Sequence, residues 1–217
     1  MASKRTRKRF KRNTDLSLAP GEKSAVEQQF PPRGKYSAVY EILDWLRYTL
    51  IAVVIALLVT IFVFQRNQVV GSSMLPTLMN NDQLLVEKVT AYFGIVKRGS
   101  IVTLDGSDLD GVDAHVKNSG LVKRIIALPG DELEFKDGVV YLNGERLKEP
   151  YLPPGTKTFG RGAKGQFKMT IPDDHCFVMG DNRQNSMDSR DFGAVEIDNI
   201  VGEVLFRIYP FNRIGIP

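Results

Sequence analysis

Residues 48–65 read YTLIAVVIALLVTIFVFQ, eighteen consecutive positions without a charge, bracketed by Arg47 and Arg66. As a helix rising ~1.5 Å per residue the run covers roughly 27 Å, and snorkelling arginines at both ends extend it across a hydrocarbon core ~30 Å thick. A buried core helix and the apolar region of a cleaved signal peptide are the competing readings. A cleaved signal has a short charged lead and an apolar run of ~7–15 residues, whereas this run is longer and follows 47 residues. The feature predicts a transmembrane helix, placed at 41–66. It divides the chain into a basic tail and linker (1–40), the span, and a second folded part (67–217).

Charge fixes the expected orientation. The chain carries a net charge of only +4, yet seven Lys and Arg fall in the first thirteen positions with no acid among them. Residues 1–47 hold eleven Lys and Arg, against Arg66 alone just after the span. The positive-inside rule then puts the amino terminus in the cytoplasm and residues 67–217 outside the plasma membrane, as a single-pass protein. The basic tail has no interleaved aromatics and precedes a span, so contact with anionic lipid is expected of it and nucleic-acid binding is not. The segment NTDLSLAPGEKSAVEQQFPPRGK, polar and broken by Pro and Gly, reads as a flexible linker.

A hydrophobic content of 43% excludes wholesale disorder. One cysteine, Cys176, excludes an intrachain disulfide framework and a CxxC redox pair, and two histidines, His115 and His175, leave little room for a His-rich metal site. The 151 residues from 67 to 217 suffice for one domain with its own core. Runs rich in Val, Ile, Phe and Tyr recur at 84–89, 100–104, 121–128, 132–135, 139–142, 167–171, 176–179 and 201–209, separated by Gly, Pro, Asn and Asp. Asp137-Gly138 and Asn143-Gly144 are hairpin turns, since both pairs tolerate positive φ. The expected fold is mainly β: a single N-terminal transmembrane helix followed by a compact antiparallel sheet domain, with 149–166 as a long loop over the sheet.

Subtraction narrows the chemistry. A Ser-His-Asp or Cys-His site needs a suitable histidine, and an HExxH metalloprotease needs two on one helix. His175 sits in PDDHC before a strand and His115 in a polar loop, and both read as surface or structural residues. GRGAKG lacks the spacing of a phosphate-binding loop. Serine with a base other than histidine remains.

Ser72-Ser73-Met74-Leu75-Pro76-Thr77-Leu78 begins seven residues after the charge-free run, beside Gly71. Glycine lets another backbone approach, and the Pro makes a rigid bend from which a hydroxyl can project; by composition alone it is also an ordinary turn. In GLVKRIIALPGDEL, strand alternation puts Leu121, Lys123 and Ile125 on one face and Val122, Arg124 and Ile126 on the other. One of two adjacent cations must then face an apolar layer, unless the strand is an edge and the lysine reaches solvent. Burial lowers a lysine's pKa from ~10.4, and a fall of roughly two to three units makes it a base for a serine hydroxyl. Third comes GDNRQNSMDSRDFG (180–193), too polar for core, which suggests a loop knitted by side-chain hydrogen bonds and an Asp–Arg pair, with a serine able to orient Lys123.

These segments resemble those of the bacterial type I signal peptidases, the Ser–Lys leader peptidases. GSSMLPTL resembles the family's nucleophile box, KRGSIV (97–102) its next box, KRIIALPGD (123–131) its lysine box and GDNRQNSMDSRDFG its last. NGERLKEPYL and VGEVLFRIYPFNRIG also fit the pattern, so that the likeness covers about residues 40–217. It implies that Ser73 is the nucleophile and Lys123 the general base, with Ser186 hydrogen-bonded to Lys123. Asp188 and Arg190 would form a supporting ion pair, and Asp181 and Gly180 would shape the same loop. The Ser73 backbone N–H would donate to the oxyanion. Many relatives place a second donor, a serine hydroxyl, where this chain has Gly71, so Gly71 is the implied second oxyanion position, and Ser72, water or the backbone alone would have to serve for the missing hydroxyl.

The resemblance further implies an extended peptide substrate paired with 68–71 and 120–122. Shallow pockets of Val69, Met74, Leu78, Leu121 and Val122 would admit the small side chains of Ala-x-Ala sites. The implied activity is removal of signal peptides from exported preproteins at the outer membrane face, with no metal or cofactor. The one-span form is similar to Gram-positive or cyanobacterial enzymes. The alternative is a non-catalytic, signal-peptidase-like protein that binds peptides or serves pilus assembly, against which the presence of both Ser73 and Lys123 speaks.

Overall fold

The computed structural model describes residues 36–107, 109 and 120–217. The expectations for the basic tail, its linker and His115 lie outside the described residues. The chain divides into two compact units, Met1–Val53 and Val54–Pro217. The division falls inside helix α1 (Tyr36–Val63), whose stretch Ala38–Val63 is long and apolar enough to cross a membrane.

The helix ends at Val63, ahead of the expected residue 66, because the next residues find a partner. Phe64–Gln68 forms strand β1, which pairs antiparallel with β2 (Gln83–Glu87) from Phe64↔Glu87 to Gln68↔Gln83. FQRNQ has no apolar alternation to announce a strand, and the ladder supplies what the side chains do not. Beyond it come the short helix α2 (Val89–Tyr92), β3 (Ile101–Leu104), β4 (Leu121–Ala127), β5 (Glu132–Lys136), β6 (Val139–Leu142) and β7 (Glu145–Arg146). The chain closes with β8 (Phe167–Thr170), β9 (His175–Met179), the one-turn helix α3 (Ser189–Phe192), β10 (Val195–Glu196) and β11 (Ile200–Tyr209).

All named strand pairs are antiparallel, in a seven-stranded sheet ordered β1-β2-β11-β3-β4-β9-β10 and a four-stranded sheet ordered β7-β6-β5-β8. The mainly β fold expected of residues 67–217 is present, and the eight predicted runs all contain strands. Asp137-Gly138 and Asn143-Gly144 turn the β5–β6 and β6–β7 hairpins with positive φ at all four residues.

Three buried apolar clusters hold the domain. Ile126, Leu133, Phe135, Ile171, Phe177 and their neighbours join the small sheet to β4 and β9. Val102, Leu121, Ile125, Cys176 and Val178 pack with Val195 and Ile200 around the middle of the large sheet. Val69, Met74, Leu78, Leu84, Val86, Ile101 and Val204 form the third, directly under the turn that carries Ser73. At roughly 25 cal/mol per Å² of apolar surface removed from water, such burial dominates the stabilisation of each layer.

Candidate active site

Met74, 1% exposed, pins its turn to the third cluster and leaves the preceding residue, Ser73, half-buried at the surface of the domain. The loop 180–190 clamps the turn from behind. Asn182 donates its backbone N–H to the Ser73 carbonyl at 2.9 Å and its side-chain amide to the Ser72 carbonyl at 3.1 Å. Asn185 donates to Ser72 Oγ at 3.0 Å. The contact is close enough to require glycine at 180: a Cβ there would lie 2.4 Å from the Ser73 carbonyl oxygen and 2.3 Å from Ser186 Oγ.

Lys123 reaches the same point from β4. It is 2% exposed, and its Nζ lies 2.9 Å from Ser73 Oγ. Burial is the main cause of a pKa lowered from 10.5 to about 8; the Asp188 carboxylate opposes the fall and Arg190 adds to it. Arg190 grips Asp188 in a buried bidentate pair, Nε to Oδ1 and Nη2 to Oδ2, both at 2.8 Å. Asp188 also caps α3 and accepts from the Gly180 N–H at 3.0 Å. Burial alone would raise its pKa, but the hydrogen bonds and charge of Arg190, with the Gly180 N–H, hold it below the ordinary value.

Ser73 and Lys123 face a cleft of about 530 Å³ whose apolar lining includes Val69, Met74, Leu121 and Val122. Leu78 does not line it. That side chain is fully buried in the cluster beneath, so its expected place in a substrate pocket is corrected to core. The expected bond from Ser186 to Lys123 is not formed either. Ser186 Oγ is buried and, among the described residues, has no partner at normal hydrogen-bond geometry. Its hydroxyl lies on the Asp188 side of the loop and favours the ionised carboxyl there.

Gly71 is corrected as an oxyanion donor. It has no side chain to donate, and its N–H is already given to Asn80 Oδ1 at 2.9 Å. Asp181 is buried beside the site, but its partner is Arg124, through bonds of 2.9 and 2.7 Å, with Thr77 Oγ1 donating at 2.5 Å.

The family model described as signal peptidase, peptidase S26, matches residues 42–209. The chain belongs to this family. It is 42% identical over 176 residues to a signal peptidase I of Bacillus licheniformis, covering 79% of this chain and 90% of that one. Signal peptidase I S of Bacillus subtilis is 41% identical over 178 residues, covering 79% and 91%. A probable signal peptidase I-1 of Synechocystis is 38% identical over 171 residues, covering 76% and 82%. The crystal structure of a signal peptidase I from Enterococcus faecalis aligns at a TM-score of 0.38 and 27% identity, covering 50% of this chain and 95% of that one.

Several residues around this S26 peptidase site carry no local sequence signal. Arg124 lies 4.0 Å over the Tyr151 ring while it holds Asp181. Arg183, buried, pairs with Glu149 and donates to Thr158 at 2.8 Å. Gln184 donates to the Lys157 carbonyl at 2.8 Å, and Arg161 pairs with Asp191 at 2.7 Å. These bonds fasten the long loop 149–166 to the loop 180–193. The density of Arg and Asp in 180–193 points to ion pairing within that loop, but only the fold selects Glu149, Lys157, Thr158 and Arg161 of the other loop as partners.

Proposed function

We propose that this S26 peptidase removes signal peptides from exported preproteins with Ser73 as nucleophile and Lys123 as general base. The observation that carries the assignment is the 2.9 Å approach of Lys123 Nζ to Ser73 Oγ by a buried lysine whose pKa is lowered to about 8. A lysine that sheds its proton in this range becomes an acceptor for the serine O–H. Ser73 Oγ bonds to the scissile carbonyl carbon as its proton passes to Lys123. The tetrahedral intermediate collapses, Lys123 returns that proton to the leaving amine, and the C–N bond breaks. Water, deprotonated by the now neutral Lys123, then hydrolyses the acyl ester. The Ser73 N–H is the proposed oxyanion donor, and Asp188, Arg190 and Asp181 are positioning residues.

The similarity to signal peptidases I of Bacillus and Synechocystis supports this substrate class. An extended segment pairing beside Val69–Val70 and Leu121–Val122 would direct small side chains at the lining residues. Residues 1–40 are proposed as the cytoplasmic tail in contact with anionic lipid, 41–66 as the single-pass anchor and 67–217 as the extracytoplasmic peptidase domain at the plasma membrane. Detergent-solubilised wild type, Ser73→Ala and Lys123→Ala would be incubated with a precursor bearing an Ala-x-Ala site, and the cut read by mass spectrometry. Cleavage after the final Ala by wild type alone is the expected result. An intact precursor with wild type between pH 5 and 9 would favour a peptide-binding homologue.

A further inference from the structure

Two residues after β1 the chain must leave its ladder to deliver Ser73, and the last bond before that departure is unusual. Val69 is held by main chain on both of its polar groups: its N–H donates to the Asp82 carbonyl, and its carbonyl accepts from the Asn81 N–H, both at 2.8 Å. By strand alternation the N–H and carbonyl of Val70 point to the opposite edge. Val70 is 77% exposed and lines the cleft.

The next rung falls to Gly71, whose N–H points back toward residues 80–82. The main chain there is already turning, with Asn81 at φ +70°. The Asn80 side chain supplies the rung, accepting the Gly71 N–H on Oδ1 at 2.9 Å. Gly71 itself sits at φ +96°, where a side chain would be strained, so the bend begins at the residue Asn80 holds.

We propose that Asn80 is a positioning residue for the cleavage reaction: its carbonyl oxygen fixes the Gly71 bend and so sets Ser73 Oγ against a peptide paired along Val70. This rests on the Ser73–Lys123 reading above. Asn80 is exposed and stands outside the set of residues that line the cleft. Its loss therefore leaves the pockets that bind substrate intact and loosens only the relation between bound peptide and nucleophile. Rate, more than binding, is sensitive to such misplacement.

The test compares kcat and KM of wild type, Asn80→Ala and Asn80→Asp on one Ala-x-Ala precursor, with thermal melts of each in the same detergent. Asp retains an acceptor oxygen where Ala has none. The expected result is a kcat lowered about three- to tenfold in Asn80→Ala, the scale of one net hydrogen bond. KM should stay within about twofold, the Tm should be unchanged, and Asn80→Asp should recover most of the rate. An unchanged kcat in Asn80→Ala, or an Asn80→Asp as slow as the alanine variant, would overturn the proposal. A loss that follows a lowered Tm would also overturn it, by making Asn80 merely structural. A wild type that leaves the precursor intact would instead sink the parent reading, and this one with it.

Discussion

Asp188 and Arg190 lock each other through two bonds of 2.8 Å in the wall beside Lys123, and their charges act on that lysine in opposite directions. The carboxylate stabilises the ammonium and the guanidinium disfavours it, so burial decides the outcome and leaves a pKa of about 8. Since the neutral amine is the base, activity is expected to rise with pH through about 8 and level off above it. A kcat/KM profile on a peptide substrate between pH 6 and 10 checks this, and a flat or acid-favouring profile would exclude Lys123 as the base.

The same shift has a consequence for stability. The folded pKa lies below the unfolded value of 10.5, so unfolding takes up a proton between pH 8 and 10.5. Below pH ~8 the folded chain bears the full cost of a buried ammonium, about 3 kcal/mol for a shift of this size, and the cost fades as pH rises through the window. Lys123→Met, of similar volume, is therefore expected to abolish cleavage while raising the Tm at pH 7, with the gain shrinking toward pH 10. Melts at the two pH values decide it; a variant less stable than wild type at pH 7 would contradict the account.

Asp188→Asn removes the influence that raises the Lys123 pKa and leaves Arg190 buried without its counter-charge. Breaking a buried pair from one side costs roughly 3–5 kcal/mol. The expected variant is much less stable, and in the molecules that remain folded the acid limb of the rate profile moves to lower pH. Chemical denaturation and the pH profile measure the two effects separately.

Gly180→Ala tests the clamp on the nucleophile. The added Cβ would meet the Ser73 backbone oxygen at 2.4 Å, and backbone cannot move aside as a flexible side chain tip can. Overpacking of this kind costs about 1–3 kcal/mol. Activity should fall by more than the loss of folded protein accounts for, because the atom displaced belongs to Ser73. Single-turnover rates corrected for the folded fraction provide the comparison.

Much of this was legible in the chain because the signals were local. Alternation and hairpin dipeptides marked the strands, and adjacency of Lys123 to Arg124 required one cation to be buried once the strand is interior, as β4 is between β3 and β9. Both are buried, since Arg124 turns to Asp181, 57 positions away, and no periodicity reports that choice. Strand β1 was hidden because its polar FQRNQ follows the apolar helix without a turn residue and owes its form to β2. Leu78 matched a pocket residue by its place in the motif, yet the third core cluster buries it. Asn80 gave no signal at all: an exposed asparagine in a turn reads as solvent-facing until Gly71 is seen to depend on it.

Cys176 offers a test of the core that is independent of catalysis. It is the chain's single cysteine, buried at the start of β9 among Val102, Ile125 and Val178, and burial pushes its thiol up to about 12. The thiolate is the reactive form, so burial protects Cys176 twice, by excluding the reagent and by keeping the proton on sulfur. Alkylation by iodoacetamide at pH 8 should be negligible in the native protein and should appear with the same denaturant midpoint as loss of sheet structure by circular dichroism. β9 pairs with β4, the strand that carries Lys123, through Arg124↔Met179 and Ile125↔Val178. Labelling that preceded the global transition, with cleavage already lost, would mean that the β4–β9 pairing opens as a unit and takes the base away from Ser73 before the domain unfolds.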